Sequence, residues 1–301
     1  MIISASRRTD IPTYYSNWFF NRVMDGYVLV RNPMNAHQIS KIALNPDVVD
    51  GIVFWTKNPI PMLNELKILH DYMYYFQFTL NSYAQDVEAH VPNKQKHIIP
   101  AFKKLSDMIG PDRVIWRYDP IFLNDTYTPE YHIRYFERIA KELSPYTKKC
   151  TISFIDFYRN TSKNVSGLSL RDFPEETQKS LAKELAAIAH SYGLLIDTCA
   201  EGIELQEYGI EHARCIDDRL LSKLLECPLD IGKDKSQRLE CGCIESIDIG
   251  AYNSCRNGCK YCYANYSEKT VRSNFAKHIP DSPLLFGEVG SDDKIIIRIG
   301  I

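Results

Sequence analysis

Gly51-Ile-Val-Phe-Trp-Thr56-Lys-Asn-Pro59, a periodic stretch at 61–72 and Tyr74-Tyr-Phe-Gln-Phe-Thr-Leu80 together decide the fold. Two short runs of β-branched and aromatic side chains flank a segment with helical apolar spacing. Near-continuous hydrophobicity in so short a run marks a strand buried on both faces, as in a parallel sheet. Asn58-Pro59 stops the first run sharply. Working outward, the same unit recurs. Strands are expected at 2–6, 27–31, 113–118, 150–154, 194–198 and 244–249, and helices at 100–109, 129–143 and 175–192, with a shorter one at 217–226. Thr128-Pro129-Glu130 and Pro174-Glu175-Glu176 supply helix starts with an acidic first turn and an early proline. Alternation repeated about eight times predicts an α/β fold, a TIM-type (β/α) barrel over residues 1–270. A doubly wound open sheet is the alternative. Residues 271–301 read as an extension packing on the barrel, with a strand at 294–299.

Composition narrows the class. The 301 residues are 45% hydrophobic and 25% charged, ordinary for a soluble domain. A formal net charge of -2 gives no general attraction to nucleic acid or an acidic membrane. No run approaches the roughly 20 apolar residues of a membrane span, and the start has no secretory pattern, so a cytoplasmic location is expected.

The nine cysteines are unevenly placed, with only Cys150 before residue 199. In a reducing compartment such gathering points to metal or catalysis rather than disulfides. The cysteine-rich part spans 199–265. Its sharpest motif is Tyr252-Asn-Ser-Cys255-Arg-Asn-Gly-Cys259-Lys-Tyr-Cys262-Tyr-Ala-Asn265. Three thiolates on one loop suit zinc or an iron-sulfur cluster. A closed zinc site wants four ligands, whereas three on a four-iron cube leave one iron open. Cys199, Cys215, Cys241 and Cys243 form a candidate second site for another iron-sulfur cluster or a structural zinc, or else are separate buried thiols. Cys150 and Cys227 read as structural.

Loops after barrel strands build active sites. Lys57, Asn58, Arg117 and Asp119 occupy such positions and are candidate catalytic groups, able to clamp an anion or orient a hydroxyl or amine. Arg117 and Asp119 read equally as a structural ion pair. Arg7 and Arg8 are neighbours on a strand end, so at most one faces a pocket. The 19 tyrosines read mainly as packing, and Lys233-Asp-Lys-Ser-Gln-Arg238 as a solvated loop.

The cysteine loop resembles the cluster-binding signature of the radical S-adenosylmethionine superfamily, including aromatic Tyr261 before the third cysteine. That resemblance implies a 4Fe-4S cluster on Cys255, Cys259 and Cys262, and S-adenosylmethionine bound to the open iron. It further implies reductive cleavage to a 5′-deoxyadenosyl radical acting on an organic substrate, with a flavodoxin or ferredoxin as electron donor. In the superfamily this loop follows the first strand; here it follows the last expected one. A circularly permuted barrel reconciles the two, because its last strand neighbours its first. Ser6, Arg7, Arg8, Thr9 and Asp10 would then stand where the methionine end binds, Asp10 toward the ammonium and Arg7 or Arg8 toward the carboxylate, without the superfamily's Gly-Gly-Glu motif. Over nearly its whole length the chain also resembles an uncharacterised family known only as a domain of unknown function, through Ser4-Ala-Ser-Arg-Arg-Thr-Asp-Ile-Pro12, Phe54-Trp-Thr-Lys-Asn-Pro59, Trp116-Arg-Tyr-Asp-Pro120 and Cys241-Gly-Cys243. Two other functions stay open: a zinc or iron-sulfur module without radical chemistry, and a nucleic-acid repair or modification enzyme using the same cluster. Near-neutral charge argues against the latter.

Overall fold

The structure, a computed structural model, describes residues 1–157 and 159–298. Its strands are β1 (Ile2–Ala5), β2 (Tyr27–Asn32), β3 (Asn35–Ala43), β4 (Gly51–Thr56), β5 (Tyr74–Thr79), β6 (Val114–Ile121), β7 (Lys149–Phe154), β8 (Leu195–Thr198), β9 (Glu211–His212), β10 (Ile247–Asp248) and β11 (Lys294–Arg298). Eight of them form one sheet in the order β10-β1-β4-β5-β6-β7-β8-β9, every pairing parallel. The runs read as doubly buried are so: β1, β4 and β5 are almost entirely enclosed, and Phe54 stacks on Phe76 with centroids 4.7 Å apart.

Helices flank the sheet. In Pro129–Leu143 the buried residues His132, Phe136, Ile139, Ala140 and Leu143 follow the helical repeat, and Phe136 stacks on Trp116 at 4.8 Å. Thr128 caps this helix by accepting from the Tyr131 amide at 3.3 Å. Thr128→Ala is expected to cost about 1 kcal/mol in a denaturant titration; an unchanged midpoint would mean that the cap contributes nothing.

Four expectations need correction. The run at 27–31 does not join the main sheet. It forms a hairpin with β3, a strand missed from the sequence, and β11 adds to β3 in parallel to complete a separate three-stranded sheet. Asn32, Pro33, Met34 and Asn35 turn the chain back before any crossover helix can form, and antiparallel neighbours need only so short a loop. The segment at 61–72 is a 3-10 helix, Ile60–Leu69, with Leu63, Leu66 and Leu69 buried at the three-residue period of that helix. The strand expected at 244–249 shrinks to the two residues of β10. Finally, among the described residues no ladder joins β9 to β10 to close the eight-stranded sheet into a barrel. A single backbone bond, Ile244 N–H to Ile216 O at 3.2 Å, links the segments following β9 and preceding β10. The last strand does neighbour the first: Ile3 pairs with Ile247 and Ser4 with Asp248.

The C-terminal segment packs on the body. Leu284 is buried with Leu29 and Ile39, the Trp18 indole donates to Ser282 O at 2.9 Å, and Arg31 bridges Asp293 at 2.8 Å. Arg31, near the end of β2, is thereby placed at this junction. The end of the strand expected at 294–299 and the tip of the extension, residues 299–301, lie outside the described residues. Among the described residues no helix is long and apolar enough to cross a membrane.

Candidate metal and cofactor site

Strand ends converge on one cavity of about 600 Å³ at the C-terminal edge of the parallel sheet. Its size falls within the roughly 300–1,000 Å³ of small-molecule sites. Both cysteine groups open onto it: Cys255, Cys259 and Cys262 from the loop after β10, and Cys199, Cys215, Cys241 and Cys243 from the connections around β9.

The three-cysteine loop is held from several sides. Asn265 donates to Cys255 O at 2.8 Å, and Asn164 donates to Cys262 O at 2.8 Å. The Tyr15 hydroxyl reaches Ser254 O at 2.7 Å, and that of Tyr14 reaches Asn257 Oδ1 at 2.9 Å. The Lys260 amide donates to Val87 O, and the His90 amide to Asn257 O. Gly258 turns this loop with φ of 67°, and a Cβ there would stand 3.0 Å from the His90 ring and 3.3 Å from Ala89. Gly258→Ala is accordingly expected to cost about 1–2 kcal/mol; a thermal melt unchanged from wild type would show that the turn tolerates a side chain.

Burial pushes all three thiols up, Cys259 to about 12. They remain neutral unless a cation replaces their protons, which is what a metal does to a thiol. Beside Cys259 lies a buried ionic group. Glu88, its side chain 1% exposed, accepts from Lys57 at 2.8 Å and from the Tyr261 hydroxyl, and is ion-paired with Lys94 at 2.5 Å. Burial alone would raise the Glu88 carboxyl, but the two ammonium groups outweigh it and hold it at about 2. Two cations against one anion leave a surplus positive charge next to the thiols. Sequence reasoning missed Glu88, which sits in an unpatterned polar stretch with no signal of its own.

The expected strand-end residues divide clearly. Ser6 and Arg8 are committed to Asp248, Ser6 through Oγ at 2.5 Å and Arg8 through Nε at 3.0 Å. Asp10 is saturated: its oxygens accept from Thr13 N, Thr56 Oγ1, Lys57 N and Asn257 Nδ2 at 3.1, 2.8, 2.9 and 3.0 Å. It therefore ties the loop to β4 and has no acceptor position left for an ammonium. Arg7 and Thr9 keep buried polar atoms, Nη2 and Oγ1, without a hydrogen-bond partner, and both line the cavity. Lys57 lines it with its ammonium engaged by Glu88.

Asn58 is not among the lining residues. Its Oδ1 accepts from the Ile60 amide at 3.2 Å and its carbonyl from Thr13 Oγ1 at 2.8 Å, so it serves the turn rather than the site. Arg117 and Asp119 do form an ion pair at the cavity wall, and Arg117 Nη1 also lies 2.8 Å from Cys215 Sγ. Tyr261 lines the cavity beside the loop, its ring 5.4 Å from the Lys57 ammonium. Trp55, Asn257, Tyr252, Tyr263 and Tyr266 are further lining residues that were not singled out from the sequence. Asn257 lies within the cysteine motif, and an amide there was the one available signal.

Residues 2–264 match the family model described as Domain of unknown function (DUF1848). The chain belongs to this family. The DUF1848 match takes in both cysteine groups and every strand of the parallel sheet, and ends two residues after Cys262. No curated protein matched the chain.

Proposed function

We propose that this DUF1848 protein is an iron-sulfur enzyme that uses S-adenosylmethionine on a small or medium organic substrate. The observation that carries the reading is the placement of Cys255, Cys259 and Cys262, all half-buried, together on one wall of a ligand-sized cavity at the carboxyl edge of a parallel sheet. The donor set fits. Three thiolates on a 4Fe-4S cluster carry a net negative charge, and the Lys57–Glu88–Lys94 group supplies the opposite sign from behind Cys259. The cluster with S-adenosylmethionine would supply a one-electron route to a carbon-centred radical able to abstract hydrogen.

The chain's own residues have distinct parts in this reading. Asp10 and Asn257 fix the loop against the end of β4. Thr9 Oγ1, unpartnered at the wall, is a ready hydrogen-bonding group for the polar end of a bound molecule. Trp55, Tyr252, Tyr261, Tyr263 and Tyr266 give the wall aromatic faces for a flat ring and help keep water out. The placement of β10 beside β1 supports a permuted (β/α) barrel relationship, in which the loop adjoins the first strand despite its late position in the chain.

Anaerobic reconstitution with iron and sulfide, followed by reduction in the presence of S-adenosylmethionine, tests the proposal. Wild type is expected to release 5′-deoxyadenosine, and Cys255→Ala/Cys259→Ala/Cys262→Ala to release none. A stably bound cluster that never cleaves S-adenosylmethionine would instead place the protein among metal modules without radical chemistry.

A further inference from the structure

Across the cavity from the cluster loop, four thiols from three separate chain segments meet. Cys199 follows β8, Cys215 follows β9, and Cys241 and Cys243 precede β10. Cys215 Sγ lies 3.1 Å from Cys199 Sγ. Cys243 interacts with both Cys215 and Cys241, and all four thiols line the same cavity. Cys243 Sγ also accepts from the Ile216 amide at 3.3 Å. Buried thiols packing merely as small apolar groups have no reason to collect from positions 44 residues apart in sequence (243 minus 199) and touch.

A second, independent observation concerns charge. Arg117 Nη1 lies 2.8 Å from Cys215 Sγ while its Nη2 pairs with Asp119, and the buried Arg7 guanidinium stands in the field of Cys243, Asp248 and Cys215. Arg7 Nη2 is buried without a hydrogen-bond partner. A buried guanidinium left short of partners is costly unless negative charge is supplied nearby. Asp119 and Asp248 supply part of that charge; neutral thiols add none, whereas four thiolates on a divalent ion carry a net charge of 2−.

We infer that Cys199, Cys215, Cys241 and Cys243 form a second metal site holding a single tetrahedral divalent ion of the zinc type, with Arg7 and Arg117 compensating its charge. Sulfur spacing decides between the ion and a four-iron cube. Zinc-sulfur bonds near 2.3 Å at tetrahedral angles put thiolates roughly 3.8 Å apart. The Cys199–Cys215 pair, 3.1 Å apart, need spread by less than about 1 Å to reach that value. Among the described residues no three candidate ligands stand in finished metal-binding geometry, as expected where neutral thiols donate to one another. A cube with iron at each corner holds its thiolates much farther apart. The site links the segments flanking β9 and β10, where the sheet has no ladder. It would thus brace that gap from inside the cavity, independently of whether the first loop carries a cluster.

The test uses the Cys255→Ala/Cys259→Ala/Cys262→Ala chain, purified without chelator and measured for zinc, iron and acid-labile sulfide. About one zinc per chain is expected, lost on further replacement of Cys241→Ser and Cys243→Ser. Because those added changes could unfold the chain, wild type is alkylated with and without a zinc chelator and mapped by mass spectrometry. Protection of Cys199, Cys215, Cys241 and Cys243 together, released by the chelator, is the expected pattern. Iron with sulfide in the triple variant would overturn the single-ion assignment. Absence of any metal, or a Cys199–Cys215 disulfide in its place, would overturn the site itself. Neither result depends on S-adenosylmethionine cleavage, so failure here is distinguishable from failure of the proposed activity.

Discussion

Glu88→Leu is expected to destabilise the protein by about 3–5 kcal/mol, the typical cost of removing one partner from a buried ion pair. Lys57 and Lys94 would be left facing each other in a desolvated site with no carboxylate between them. The Tyr261 hydroxyl, and the Asn81 amide at 3.4 Å, would lose the same acceptor. For a chain of this size such a loss lowers the melting temperature by roughly 6–10 °C. The same group sets an acid limb. Its carboxyl is held at about 2 when folded, below the ordinary value of 4.5, so its contribution is fully present above about pH 4.5 and is lost as pH falls toward 2. Linkage puts that contribution at about 3 kcal/mol. Glu88→Gln, which cannot ionise, should therefore show a shallower fall in stability between pH 4.5 and 2 than wild type. Parallel acid limbs for the two proteins would mean that the lysines do not depend on this carboxylate.

The parallel sheet was legible because β4, β5, β6 and β7 carry β-branched, aromatic and apolar side chains on both faces with few polar breaks, the pattern of a strand covered on both sides. Where the sequence misled, a local pattern was shared by two architectures. Residues 27–31 look like any buried strand, and nothing within them reveals that the next segment returns as a hairpin. The open edge was equally hidden, since β9 is two residues of polar sequence and only two residues of the run read at 244–249 enter the ladder. The seven cysteines that line the cavity were visible as two groups in the sequence, because they cluster after residue 198. The polar shell was not. The superfamily resemblance sets Asp10 toward a ligand ammonium, yet its burial and four internal donors belong to the tertiary fold. Arg8 was spent in the same way on Asp248, a pairing that spans 240 residues and has no local signature.

Asp10→Asn follows from that reassignment and separates a structural tie from a ligand contact. The carboxylate accepts on both oxygens, and an amide replaces one acceptor oxygen with a nitrogen that can only donate. Whichever way the amide is turned, it faces donors: Thr13 N and Thr56 Oγ1 on one side, Lys57 N and Asn257 Nδ2 on the other. A buried donor left without its acceptor costs roughly 1–3 kcal/mol, so the substitution should destabilise by about 3 kcal/mol or more. The rotamer that spares the Thr13 cap breaks the bonds to Lys57 and Asn257, which join the end of β4 to the cluster loop. Loss of loop position should then appear as iron lost from the reconstituted protein at temperatures where circular dichroism still reports a folded chain. Were Asp10 a direct partner of a bound ammonium group, the variant would keep its iron and its melting temperature and lose only affinity for S-adenosylmethionine. Iron retention and calorimetric binding, measured on one preparation, therefore give opposite patterns for the two roles. The four internal hydrogen bonds require the first: a carboxylate with every acceptor position engaged can hold a loop in place, but it has nothing left with which to hold a ligand.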